Sequence, residues 1–313
     1  QGYIPFDEMP ELINPECNWI RTANNRTAAN DYPHMLSGCW SSGHRAGRIR
    51  EILESHQGTF ALDDFVQMQN DVISGRAQEC TPKLLKALSS ESDPDLLRAL
   101  SFLQGWNGSI DVDSVAATIF NVFFTLWQMR VTREHIPEEQ LELVGNAAGG
   151  VASRLIDQDA VRWFQNDDRE RAVSETFKAA VDLLSDRFGN DMETWQWGKL
   201  HILTKSHPLG RIGDLGELLN HAPISVKGDM VTVGNTGQGP DWTSISGAGY
   251  RLIHDMGTNP PCMWAVDGQG QSGHPGSPHY NDQEHDWLNA GYHQIILSEA
   301  PDPTAIQFII KPA

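Results

Sequence analysis

Two asparagines and two arginines, Asn24, Asn25, Arg45 and Arg48, are the side chains of this sequence whose types could do chemistry together. A carboxamide N–H can donate to an oxygen that gains negative charge during a reaction, with no change in its own protonation. One such donor can contribute about 3 kcal/mol. A nearby guanidinium can hold the amide through its carbonyl oxygen and so decide where the N–H points. Read alone, Asn24-Asn25 is a turn, because asparagine tolerates the left-handed conformation, and Arg45 and Arg48 fit an ion-paired helix start. Two histidine groups offer other chemistry. His201 and His207 follow Trp195-Gln196-Trp197-Gly198 in no ligand spacing and read as structural. His274, His279 and His285, with Asp282 and Glu284, are of metal-binding types, but their spacing matches neither H-x-x-x-H nor H-E-x-x-H. Ser272 and Ser277 stand near histidines without a G-x-S-x-G elbow, and sequence neighbours do not define a triad. That stretch reads as a loop shaping the wall of a site.

The elements that must position these residues fall into three stretches. Residues 1–48, rich in Pro, Asn and Gly, read as extended and loop structure. Residues 49–220 are mainly helical. A helix starts at Arg48–Leu53, another covers Leu62–Gln69, and further helices are expected near 81–90, 94–105, 112–130 and 136–163. Arg169–Phe188 is the clearest amphipathic helix and stops at Gly189. In 221–313 the period changes. Ile224–Val233 alternates across a Gly228-Asp229 turn and reads as a hairpin. Short strands are expected at Tyr250–His254, Cys262–Val266, His293–Leu297 and Ile306–Ile310. Strand segments at both ends around a helical insertion place both ends in one sheet system.

With 313 residues the chain can bury a large core, as one large domain or two ordinary ones. A net charge of -18 argues against nonspecific nucleic-acid binding and against an anionic membrane surface. No apolar run is long enough to span a membrane, and no signal peptide is visible. The chain opens at Gln1 without an initiator Met, which fits a processed or truncated polypeptide. Cys17, Cys39, Cys80 and Cys262 form no C-x-x-C pair. Cys17 with Cys39 as a bridge and buried free thiols are both compatible with that spacing.

Several pieces resemble the penicillin acylase family in order and spacing: Gly2-Tyr3-Ile4-Pro5, Asn14-Pro15, Thr22-Ala23-Asn24-Asn25-Arg26, Asp31-Tyr32-Pro33 and Arg45-x-x-Arg48-Ile49. Further matches are Trp195-Gln196-Trp197-Gly198 with His201, and Gly270-Gln271-Ser272-Gly273 with Ser277-Pro278-His279-Tyr280-Asn281-Asp282-Gln283 and Trp287. Val226–Val233 and Gly249–Met256 resemble strands of the family's central sandwich, with Arg251 and Asp255 as ion-pair members.

The resemblance runs from about Gly2 to Ile310 and implies one α+β domain fragment: the C-terminal part of a β subunit, from a four-layer αββα N-terminal nucleophile hydrolase with a large helical insertion. It implies amide hydrolysis through an acyl-enzyme, with Asn24 as oxyanion donor and Arg45 as its orienting partner. The nucleophile is expected on a segment upstream of Gln1, so this chain alone is expected to be inactive. Implied partners are that segment, an α subunit cut from the same precursor by self-processing, and a small-molecule or lipopeptide amide substrate. The resemblance also implies a periplasmic or secreted enzyme and a link to antibiotic metabolism. No cofactor is expected. The family's calcium-binding Asp, five residues after the Asp of Asp-Tyr-Pro, is Leu36 here, and other calcium ligands would lie outside the chain. The alternative is a non-catalytic binding or scaffold module that keeps the sandwich.

Overall fold

In the computed structural model, which describes residues 2–144, 148–158, 162–164 and 168–296, the backbone is irregular up to His44 and largely helical beyond it. Only one short 3-10 turn, Phe6–Glu8, interrupts the first stretch. Eleven α-helices follow among the described residues: α1 (His44–Ser55), α2 (Leu62–Gln69), α3 (Gly75–Ala87), α4 (Pro94–Leu103), α5 (Val115–Arg133), α6 (Leu141–Val144), α7 (Gly149–Leu155), α8 (Arg169–Phe188), α9 (Trp197–Leu200), α10 (Leu215–Leu219) and α11 (Glu284–Leu288). The strands are β1 (Ile202–Leu203), β2 (Ile224–Ser225), β3 (Thr236–Gln238), β4 (Ser244–Gly247), β5 (Tyr250–Asp255), β6 (Cys262–Asp267) and β7 (His293–Ile296).

Two compact units divide the chain. The first is Gln1–Gly58 with Asn70–Gly247; the second is Thr59–Gln69 with the residues from Ala248 on. They cut across the segments 1–48, 49–220 and 221–313, and the chain crosses between them three times.

The first unit is built on α5. Its sequence is apolar almost all round, which suits a helix enclosed on every side, and Ile119, Phe120, Val122, Phe123 and Trp127 are fully buried. Ser114 caps it, its Oγ accepting from Ala117 N at 3.1 Å. The amphipathic helix α8 packs along α5, Phe177 meeting Phe123 edge-on with centroids 5.9 Å apart. It ends at Gly189, where φ is 85°. The helix expected near 81–90 starts earlier, at Gly75. Ser74 Oγ caps it through Ala77 N, and burial of Ala77, Cys80, Thr81 and Leu84 carries it through Pro82. The helix expected at 136–163 is broken instead, into a 3-10 turn at Glu138–Gln140, α6 and α7, with some of its residues outside those described.

The four-stranded sheet of this unit has the order β2-β1-β4-β3, with β1 and β4 parallel and the other pairs antiparallel. The hairpin expected over Ile224–Val233 is not formed. Only Ile224–Ser225 is strand, and the chain turns at Gly228 with φ at 89°. The reason is local competition for backbone partners. Asp229 Oδ1 accepts from Val231 N (2.8 Å) and Thr232 N (2.9 Å), and Asn235 Nδ2 donates to Asp229 O and Met230 O. The hairpin of this region lies one step on, between β3 and β4.

The second unit holds the antiparallel sheet β5-β6-β7. Helix α2 packs on β5, with Gln69 Nε2 donating to Leu252 O at 2.8 Å and Tyr292 Oη to Gln69 Oε1 at 2.7 Å. Arg251, expected as an ion-pair member, is buried, donates to Trp287 O at 2.8 Å and stacks on the Trp287 ring. Asp255 Oδ1 accepts from Gly257 N. The strands expected at 250–254, 262–266 and 293–297 are present, except that Leu297 and the strand expected at Ile306–Ile310 lie outside the described residues. The described part of 1–48 contributes no strand, so the two ends share no sheet among the described residues.

Candidate active site

Asn24 sits in a turn with φ at 57°, the left-handed region that asparagine enters more readily than other side chains. Its backbone C=O accepts from Ser41 N at 2.9 Å. That bond closes the loop between them and brings Asn24 back to the start of α1, where Arg45 is the second helical residue. Arg45 Nη2 donates to Asn24 Oδ1 at 2.9 Å. With its oxygen held, the carboxamide presents Nδ2 to the exposed side, and among the described residues no group accepts from it. Asn25 is used differently. Its Oδ1 accepts from Ala23 N and its Nδ2 donates to Arg26 O, so both ends of that amide serve the turn.

Helix α1 is itself anchored. Arg48, one turn after Arg45, forms a fork on Asp71 with contacts of 2.7 and 3.1 Å and also pairs with Glu51. Ala46 is buried, and α1 packs on α3. Arg45 is half-buried, and burial pushes its pKa below the ordinary guanidinium value. Just before it, His44 is pushed below its ordinary 6.5, first by burial and then by the charge of Arg76. No serine, threonine or cysteine side chain bonds to Asn24 or Arg45 among the described residues. The pair can therefore donate to and orient an oxyanion, and carries no nucleophile of its own.

The other candidate groups have partners of their own. His201 is fully buried and stacked on Trp197, with Nδ1 2.7 Å from Trp242 O and Nε2 2.8 Å from Thr236 O. Burial lowers its pKa, opposed by those two carbonyls. His207 Nδ1 accepts from Leu209 N. In the 268–292 stretch, His279 pairs with Asp282 at 2.7 Å, His274 Nδ1 accepts from Gly276 N, and Ser272 and Ser277 cap backbone amides of His274 and His279. Among the described residues no group of three or more His, Cys, Asp or Glu could hold a metal ion. The four cysteines are free thiols. Cys17 and Cys39 are exposed, Cys262 is half-buried, and burial in the core pushes Cys80 up to about 11. No helix among the described residues is long and apolar enough to cross a membrane.

Comparison with known proteins gives one consistent result. The family model described as penicillin amidase matches residues 1–303. The penicillin acylase 2 proenzyme of Pseudomonas sp. is 30% identical over 316 residues, covering 95% of this chain and 39% of that protein. The acyl-homoserine lactone acylase QuiP of Pseudomonas aeruginosa is 27% identical over 330 residues, covering 93% and 39%. The chain thus spans about two fifths of the length of these relatives. Among solved structures, the thermostable penicillin G acylase from Alcaligenes faecalis matches with a TM-score of 0.66 at 15% identity, over 99% of this chain and 60% of that one. That likeness bears out the fold class: an α+β portion of the four-layer αββα sandwich, with a helical insertion.

Proposed function

Because the chain belongs to the penicillin amidase family, we propose that it supplies the oxyanion-stabilising part of an amide-hydrolysing acylase. In this reading a Ser, Thr or Cys at the N-terminus of another segment attacks the amide carbonyl, its own α-amine serving as base with a pKa of about 8. The carbonyl oxygen becomes an oxyanion and accepts from Asn24 Nδ2. The amine leaves, an acyl-enzyme remains, and water releases the acid through a second tetrahedral intermediate at the same donor. Arg45 acts as a positioning residue, because its hydrogen bond fixes which end of the amide faces the substrate.

The observation that carries this reading is the Arg45–Asn24 hydrogen bond of 2.9 Å with Nδ2 left unengaged. The substrate is a small-molecule or lipopeptide amide, a class that takes in β-lactam side chains and acyl-homoserine lactones, and the enzyme works in the periplasm or outside the cell. The nucleophile-bearing segment and an α subunit from the same precursor are its partners. Position 36 of this chain offers calcium no carboxylate, since an apolar Leu36 stands there.

The test is the hydrolysis of a chromogenic acyl anilide by the full-length protein and its variants. Asn24→Ala should lower kcat by about 10² to 10³ with KM within a few-fold. Arg45→Ala should lower kcat with KM unchanged, and Arg45→Lys should restore part of the loss. If Asn24→Ala retains activity within a few-fold of the parent, the assignment fails.

A further inference from the structure

The first unit contains a cavity of about 430 Å³, within the size range of pockets that hold small organic molecules. Neither Asn24 nor Arg45 lines it. Its walls come from α3, α5 and the β3–β4 region, and Phe124, Met129, Met230 and Ile245 make it predominantly apolar. The polar side chains in the wall are already engaged. Gln238 donates to Asn121 Oδ1 and accepts from Met230 N; Thr125 Oγ1 accepts from Trp242 Nε1; Thr132 Oγ1 donates to Gln128 O.

Arg76 is the exception, and the one charged side chain among the lining residues. Its guanidinium carbon lies 4.5 Å from the centroid of the Phe124 ring, and its Nε is buried without a hydrogen-bond partner. Asp229 and Glu79 act on it through charge, yet neither comes within ion-pair distance. Arg76 is half-buried, and a guanidinium partly withdrawn from water with no anion beside it gains when a carboxylate supplies two parallel acceptors. A single cation at one end of an apolar cavity is matched by a singly charged planar head group on a hydrocarbon body. A phosphate dianion would call for a second cation, and the wall has none.

We propose that this cavity is a binding site for an amphipathic monocarboxylate, its carboxylate paired with Arg76 and its hydrocarbon lying against Phe124, Met129, Met230 and Ile245. The assignment does not depend on the role of Asn24. It is tested by calorimetric titration of the full-length protein with hexanoate and with hexan-1-ol, which share the chain and differ in the charged head. Hexanoate should bind at least tenfold more tightly than the alcohol. Arg76→Gln should erase that preference while leaving the alcohol's affinity unchanged, and Ile245→Trp, which fills the rim, should weaken both. Thermal unfolding of each variant reports whether it folds; should Arg76→Gln not fold, Arg76→Lys, which keeps the charge and loses the fork, should weaken hexanoate alone. Equal affinity for the two ligands, no saturable binding of hexanoate, or a hexanoate preference that survives the Arg76 substitutions would each overturn the proposal.

Discussion

The two asparagines of Asn24-Asn25 have the same chemistry, and only the fold separates them. Asn25 uses both ends of its amide on its own turn, whereas Asn24 is held from one side and open on the other. The residues before Asn24 alone could not make that distinction, since either amide can serve a turn; the spacing shared with the acylases picked out Asn24 together with Arg45. His44 gives a test at the same scale. Burial and the charges of Arg76 and Lys83 lower its pKa, against the opposing pull of Glu79 and Asp229. The folded state therefore favours neutral imidazole, and the unfolded chain takes up the proton first as pH falls. The stability His44 contributes is complete above its ordinary 6.5 and is lost as pH drops below that toward the lower folded value. Melting temperatures followed from about pH 7.5 to about 5.5 should fall more steeply for the parent than for His44→Gln; parallel curves would count against it. Arg76 shows where legibility ends. In sequence it is one more arginine of a mainly helical stretch, ahead of the helix expected near 81–90, and only the arrival of Phe124, Met230 and Ile245 from distant segments makes it the cation of a cavity.

Among the elements, those with a long consistent period were readable. Helices α2 and α8 fall where their apolar spacing puts them, because packing, capping and pattern agree there. The 226–233 stretch alternates just as regularly and is not a strand, since alternation records which residues are buried and not where the backbone finds its partners. Val226 and Val231 are indeed buried, but on a loop whose amides are satisfied by Asp229 and whose turn rests on Gly228. A Cβ at Gly228 would meet Gly234 O at 2.3 Å. Removing the capping carboxylate by Asp229→Ala leaves two buried amides without their acceptor and should cost about 3 kcal/mol in urea unfolding. A loss under about 0.5 kcal/mol would mean that the loop is held by other contacts.

For the molecule as a whole, the residues before α1 are unusual in what they leave uncovered. Tyr3, Phe6, Ile13 and Met35 are each more than 70% exposed, and all four residues of β7 are exposed at what is, among the described residues, the edge of its sheet. Apolar side chains and a strand edge left open to water favour association. The chain expressed by itself should form higher-mass species in light scattering, and co-expression with the remaining segments of a full-length precursor should suppress them; a monodisperse monomer with a sharp thermal transition would argue otherwise. The threading of the two units sets a further condition, one of timing. Helix α2 is synthesised between two parts of the first unit, yet the groups that anchor it, Leu252 O and Tyr292 Oη, lie 183 and 223 residues further along. On the ribosome α2 emerges long before its sheet exists, so its partners become available only once the residues up to Tyr292 have been made. A chain cut short after Gly247 would strand that helix for good, which makes the synthesis of residues 248–292 the step that commits the second unit to fold.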